Sequence, residues 1–382
     1  MLQKLKIGDK NKKFLTAISI LVGTVVGVGF LGMPYVASKA GFFVTAGYLV
    51  VFGALILLVN LYFGEIILRT KGKHQLVGFA YKYLGKKGKD FMFTLVVLAI
   101  ISALLAYMIG VGESLSFLIF GNTNYEVGLG ALFGFLMAYI LWKGVKSFRK
   151  YERAGVGALL LMLILVAIFF TKDMNYSNLF NFDKSYFFLP LGVVLFSLIE
   201  FFSLPSVVNV FKGRERLTKK AIITGTIITI LIYLFFTAIV LGVTGSETPE
   251  VSTIALGPLF VIIGVVTMFT SYLALGTALE RSFMWDYRNK KLKAWFKSTI
   301  VPIVLFLALE FFEFFSFTNV LSVGGAIAGG LIVVLVLTIH RKAHTQGNRI
   351  PEYKVYLSKG IAILIALLFI AGMVAETIHI LS

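Results

Sequence analysis

Glu65, Glu113 and Glu200 lie inside long apolar runs whose interiors hold no Lys or Arg to neutralise them. An ionisable group in hydrocarbon is held by a proton, by water, by an ion or by the cationic part of a ligand, so each is a functional candidate. Glu65 precedes Arg69 by four residues, and a helical ion pair accounts for it. Glu113 falls toward the outer end of its run, within reach of water. Glu200 is different. It falls at mid-depth beside a helix-breaking stretch, with no local partner, and suits either proton carriage or contact with a substrate cation.

A second set offers oxygen without charge. Thr267, Thr270 and Ser271 place hydroxyls at i, i+3 and i+4, on one face of a helix. Such a face serves either hydrogen bonding between helices or, with added carbonyls, an all-oxygen cation cage.

The third set is backbone. Gly23-Thr24-Val25-Val26-Gly27-Val28-Gly29-Phe30-Leu31-Gly32-Met33-Pro34 puts four glycines and a proline in twelve positions. Gly costs about 1 kcal/mol and Pro about 3 relative to Ala inside a helix, so a break is expected here. In hydrocarbon a break survives only where it is buried in protein or lines a cavity. The half-helix after it exposes N–H groups that favour an anion such as a carboxylate at Val28, Gly29 and Phe30, with Gly27 allowing close approach. Carbonyls ending the first half, near Gly23 and Val26, accept from an ammonium or a cation. Tyr107 offers a hydroxyl to the carboxylate, and Phe30, Phe201 and Phe202 offer apolar walls. Gly27-x-Gly29-x-x-Gly32 also matches the dinucleotide fingerprint, but neither strand nor βαβ unit surrounds it.

These sets need elements to position them. Of the 382 residues 58% are hydrophobic and 14% charged, and the mean hydropathy is +0.92. Apolar runs of about 20 residues recur, each able to span the bilayer core. Alternating ten-residue strands are absent, which excludes a barrel. The lack of cysteine excludes disulfides, thiolate catalysis and Cys-based metal sites. Eleven spans are predicted, at 14–38, 42–69, 90–120, 126–143, 153–171, 187–210, 218–243, 252–281, 299–312, 319–340 and 358–381, the first retained rather than cleaved. With the N-terminus in the cytoplasm, every Lys and Arg except Lys39, Lys172 and Lys184 falls on the inner side. The net charge of +18 is therefore a topology signal and not a nucleic-acid footprint. A plasma-membrane protein with an extracytoplasmic C-terminus is expected. The loop 281–297, with its Lys, Trp285, Tyr287 and Trp295, suits either an interfacial helix or a basic loop with aromatic anchors.

Span six carries a second break, with Ser197, Glu200, Phe201 and Pro205 in ten residues. Spans one and six are five apart. Five is odd, so a duplicated five-span unit has inverted topology, and broken helices at matching positions of two inverted halves mark a transporter site. The halves are 14–171 and 187–340, and 358–381 is an added helix. His-Glu-x-x-His, Gly-x-Ser-x-Gly and paired intramembrane Asp are all lacking, so no enzymatic chemistry is expected.

The stretch Gly23 to Gly29 with Pro34, Gly41-Phe42, Gly64-Glu65 to Thr70, Ala106-Tyr107 to Glu113, Ser197 with Pro205, and Thr270-Ser271 to Gly276 resembles the aromatic amino acid (tryptophan/tyrosine) permeases. These are relatives of the amino acid/auxin permeases in the amino acid–polyamine–organocation superfamily. Glu200 departs from the pattern, where a small or aromatic residue is expected. The resemblance implies an all-α LeuT-type fold of five plus five inverted helices with helices 1 and 6 broken, and a secondary active transporter importing neutral or aromatic amino acids. Gly27, Val28, Gly29, Phe30, Tyr107, Ser197, Glu200 and Phe201 are the candidate substrate residues. Coupling is expected to a proton, through Glu113 or Glu200, or to sodium in a cage of Gly23, Val26, Thr267, Thr270 and Ser271, like the second sodium site of that fold. No other cofactor is implied. The alternative on the same fold is an amino acid-sensing receptor or an exchanger.

Overall fold

The structure is a computed structural model that describes residues 2–72, 74–144, 148–312 and 316–381, with side chains for 11–72, 74–144, 155–312 and 316–378. The basic segment 143–153 and the start of the fifth expected span lie largely outside these side chains. The described residues are helical and contain no strand. In chain order they form α1 (Leu2–Val25), α2 (Val28–Ala40), α3 (Phe42–Arg69), α4 (Leu76–Phe120), α5 (Glu126–Lys143), α6 (Phe148–Phe170), α7 (Leu189–Ser197), α8 (Leu204–Val210), α9 (Leu217–Thr244) and α10 (Pro258–Trp285). α11 (Lys291–Trp295) runs through a π-helical turn into α12 (Val301–Phe311), α13 (Phe317–Ser322) does so into α14 (Gly330–Gln346), and α15 (Lys359–Leu381) closes the chain.

Nine helices among the described residues are long and apolar enough to cross a membrane, or ten if the pair Asn11–Val25 and Val28–Ala40, bent by 56°, counts as one span. Eleven were expected. The difference is the run 187–210, which holds nine residues of α7 and seven of α8 separated by a non-helical link. Neither piece is long enough to cross alone. The third expected span starts earlier than hydropathy placed it: α4 begins at Leu76 and kinks at Gly85, whose φ of 74° only glycine adopts without strain. The basic loop at 286–290 is irregular, and Trp295 is drawn inward, its indole donating to the Ala138 carbonyl at 2.9 Å.

Packing arranges these helices around α9. It contacts α1, α2 and α3, while α4 contacts α5, α10 and α14. Tyr62, Phe30, Phe63, Phe201, Tyr233, Phe236 and Tyr272 are among the largest fully buried side chains. Large apolar residues on the outside, such as Leu132, Phe135, Ile164, Ile168, Leu364 and Leu367, are exposed. This suits a bundle solvated by acyl chains, where helices associate by packing and hydrogen bonds and not by excluding water. α15 rests on α7 and α14, with Phe369 edge-on against Phe52 of α3.

At the end of α3 the chain closes a polar cap. Glu65 is fully buried and accepts from Arg69 Nε at 2.8 Å and from the Val355 N–H at 2.7 Å, with His340 Nε2 at 3.1 Å and His344 Nε2 at 3.3 Å. The helical pair read from spacing is thus one part of a larger cluster. The segment after α14 straps over the same helix end: Asn348 and Arg349 N–H groups donate to the Arg69 carbonyl, and Tyr353 donates to the Leu61 carbonyl. Removing one partner of a buried ion pair costs about 3–5 kcal/mol, because the other charge stays buried. Glu65→Ala is therefore expected to lower the thermal unfolding midpoint of the detergent-purified protein markedly. An unchanged midpoint would mean that the cap holds nothing together.

Candidate functional site

α1 ends at Val25 and α2 starts at Val28, so the link between them leaves backbone groups without helical partners. Gly27 bridges them with φ −129° and ψ −131°. Its N–H turns back to the Val25 carbonyl at 2.8 Å, and its own carbonyl accepts from Phe30 at 3.2 Å. The second break is alike. Beyond Ser197 the Leu198 and Ile199 N–H groups reach back to Leu195 and Phe196, and the Glu200 carbonyl takes both the N–H and the hydroxyl of Ser203.

The two breaks meet. Tyr233 of α9, fully buried, lies with its hydroxyl 3.0 Å from the Val25 carbonyl and 2.8 Å from the Ser197 carbonyl. One hydroxyl proton thus faces the ends of both interrupted helices. Phe30 stacks on Phe236 of the same helix at 3.9 Å between centroids. On the other side of the junction the Tyr107 hydroxyl of α4 lies beside the Val28 N–H and the Ser271 hydroxyl of α10.

Close approach explains the glycines. A Cβ on Gly27 would stand 2.6 Å from Tyr107 Oη and 3.3 Å from Ser271 Oγ. A Cβ on Gly29 would stand 2.2 Å from Ser197 Oγ and 3.1 Å from Phe196 Cδ1. The same Phe196 ring approaches Gly324 on the far side, so it fills the space between α2 and the π-helical turn before α14. Beneath the junction a cavity of about 400 Å³ opens toward the end where α4 begins and α10 ends. Thr24, Ala274, Phe202 and Ser203 line it, and the first two stand one helical turn from Gly27 and Ser271.

Among the residues read from the sequence, Gly27, Val28, Gly29, Phe30, Tyr107, Ser197 and Ser271 come together at this junction. Val26 caps the last turn of α1, its N–H on the Val22 carbonyl at 2.8 Å, and Gly23 lies a turn earlier. The hydroxyl trio separates. Thr267 donates to the Gly264 carbonyl, and Thr270 donates to the Thr267 carbonyl while facing Gly155 of α6. Successive helical positions differ by about 100°, so Thr270 and Ser271 address different neighbours. Phe201 turns edge-on to Phe63 of α3, away from the junction. Glu113 is half-buried near the end of α4, and its charged neighbours are the acids Glu126, Glu250 and Glu310. Glu250, in the loop before α10, accepts from the Thr318 N–H at 2.9 Å, and burial pushes its carboxyl up from the ordinary range. Glu200 does have partners, which its neighbours in sequence could not supply: Asn60 Nδ2 and Thr226 Oγ1, each at 2.9 Å from Oε2.

Sequence reasoning passed over Tyr233, Thr226, Asn60 and Phe196. The first two carried a signal. Thr226, Thr229, Tyr233 and Thr237 recur at helical spacing within one apolar span, and all are buried.

Residues 10–255 match the profile of the tryptophan/tyrosine permease family. Glutamine transporter 2 of Aliivibrio fischeri is 24% identical over 392 residues, covering 95% of this chain and 98% of that protein. Tyrosine-specific transport system 1 of Haemophilus influenzae is 24% identical over 220 residues, 57% of this chain and 54% of that protein. Amino acid transporter AVT1H of Arabidopsis thaliana is 28% identical over 112 residues, 29% of this chain and 26% of that protein. Among solved structures, MhsT in complex with L-phenylalanine superposes with a TM-score of 0.65 at 15% identity, over 95% of this chain and 98% of that one, a likeness of fold. The expected LeuT-type fold is the one the chain adopts. It is a multi-pass membrane permease for amino acids, not an enzyme, and it belongs to the tryptophan/tyrosine permease family.

Proposed function

We propose that the chain imports neutral, preferentially aromatic, amino acids across the plasma membrane by ion-coupled symport with alternating access. The observation that carries this reading is the meeting of two helix breaks at Tyr233, beside Gly27 and Gly29. An ammonium brings three donors where Tyr233 brings one, so it takes over the Val25 and Ser197 carbonyls. The carboxylate sits at the start of α2, where the Val28 and Gly29 N–H groups and the Tyr107 hydroxyl face it. The side chain points to Phe196. The cavity below the junction is the inner half of the path, and its nearness to Gly27 supports alternating access.

In this reading the bent pair α1–α2 and the pair α7–α8 are each one span, which restores eleven. Residues 14–171 and 187–340 are the inverted halves, and α15 is the addition. The N-terminus and the cap over α3 face the cytoplasm, in keeping with their Lys and Arg. The relatives named for glutamine and tyrosine supply the first substrates to try. The coupling ion is a proton or sodium, the latter through Ser271 with Thr267, Thr270 and the carbonyls of Gly23 and Val26.

Proteoliposomes given labelled L-tyrosine, L-tryptophan and L-glutamine under a separate inward proton or sodium gradient test the whole reading. Accumulation above equilibration under one gradient is expected, and none under either would defeat symport. Gly27→Ala pushes a methyl group against the Tyr107 hydroxyl and is expected to cut uptake at least tenfold while the protein still reaches the membrane; normal uptake would move the carboxylate elsewhere. Tyr233→Phe strips a donor from two buried carbonyls, which destabilises the substrate-free protein by about 1–3 kcal/mol. Because the bound state no longer needs that donor, the thermal shift on adding substrate should grow. A smaller shift would mean that the ammonium does not replace the hydroxyl.

A further inference from the structure

Glu200 lies in the non-helical link between α7 and α8 and is fully buried. Both of its side-chain partners reach the same oxygen. Asn60 Nδ2 from α3 and Thr226 Oγ1 from α9 each donate to Oε2 at 2.9 Å. Among the described residues the other oxygen, Oε1, is buried without a partner, and so is Asn60 Oδ1. Two side chains already joined at one end therefore each keep a spare acceptor.

Two acceptors cannot satisfy each other, and a buried acceptor left unmatched is costly. A carboxylic acid and a primary amide are complementary in another way: the acid accepts on one oxygen and donates from the other, and the amide does the converse. One proton on Oε1 converts the two spare acceptors into a donor and an acceptor, the complement that a cyclic acid–amide pair requires. Without that proton the site holds a buried carboxylate with neutral partners only, a state that proteins avoid by neutralisation. Among the described residues no cation answers it. Thr226 is its partner on α9 and Asn60 on α3; the titratable neighbour is Tyr233, a neutral phenol turned toward Val25 and Ser197.

We propose that Asn60, Glu200 and Thr226 form a proton-binding site, with the proton held between Glu200 and Asn60, and that this is the proton the transporter carries. The assignment rests on the symport reading above and selects the proton over sodium. The site is wired to the junction on two sides. Glu200 follows Ser197 by three residues, and Thr226 precedes Tyr233 by seven, two turns along the same face of α9. The residues after Glu200, Phe202 and Ser203, line the inner cavity, so a shift of the link that opens the pair delivers the proton to that cavity. The step is binding and release of one proton, with the carboxylate restored on release.

Infrared spectroscopy and transport test this separately. The purified full-length protein at neutral pH should show the carbonyl stretch of a protonated carboxyl group that Glu200→Gln abolishes and Asn60→Leu shifts. Gln supplies the missing donor permanently, so Glu200→Gln should fold. Under a one-unit inward proton gradient, which supports about tenfold accumulation, the wild type should concentrate L-tyrosine. Glu200→Gln should not exceed equilibration, and its uptake should lose its dependence on pH. Proton-driven accumulation persisting in Glu200→Gln, accumulation driven by sodium alone, or absence of the Glu200-dependent band would overturn the assignment. L-tyrosine, L-tryptophan and L-glutamine counterflow by the wild type, which needs no driving ion, judges the transport reading by itself. If all three fail while the band appears and vanishes as expected, transport falls and the proton site stands.

Discussion

Hydrocarbon offers no hydrogen bonds, and in the reading proposed above this chain interrupts helices within it twice. Every peptide group freed by an interruption must find a partner inside the protein. Much of the interior answers that demand. Tyr233 faces the carbonyl ends of α1 and α7, Tyr107 lies beside the start of α2, and Ser203 folds back onto Glu200. The helices that supply these side chains are held in place by what they satisfy, which is why α9 sits against α1, α2 and α3.

The same demand creates function. A helix interrupted in water would expose its ends to solvent and gain nothing. Interrupted inside the protein, it presents concentrated, oriented polarity in a dry setting, the kind of place the proposed reading assigns to the ammonium and carboxylate of the substrate. The glycines at 27 and 29 let neighbouring hydroxyls come close enough to share that polarity. In the proposed reading, substrate recognition and structural repair use the same atoms.

How much of this was legible depended on range. The break at Gly27 and the one before Pro205 could be read locally, because Gly and Pro act on the helix that contains them. Membrane class, orientation of charge and the likeness to a family followed from composition and short motifs. The partners of Glu200 could not be read in that way, since Asn60 lies 140 positions away and its amide carries no distinguishing pattern. Tyr233 hid for a related reason: among 16 tyrosines, only the crossing of three helices marks it out. The hydroxyls on α10 address different neighbours because sharing a face is a looser condition than sharing a target. Ser271 meets Tyr107 and Thr270 meets Gly155, on opposite edges of one stripe.

The geometry at Tyr233 leaves an account unsettled. One hydroxyl faces two carbonyls and can give its proton fully to only one of them, so the empty junction is locally frustrated in the sense that its best arrangement cannot content every member. Most of a folded chain removes such conflicts. Here the conflict sits where, in the proposed reading, a guest with several donors resolves it, and the resting protein is there unfinished by construction.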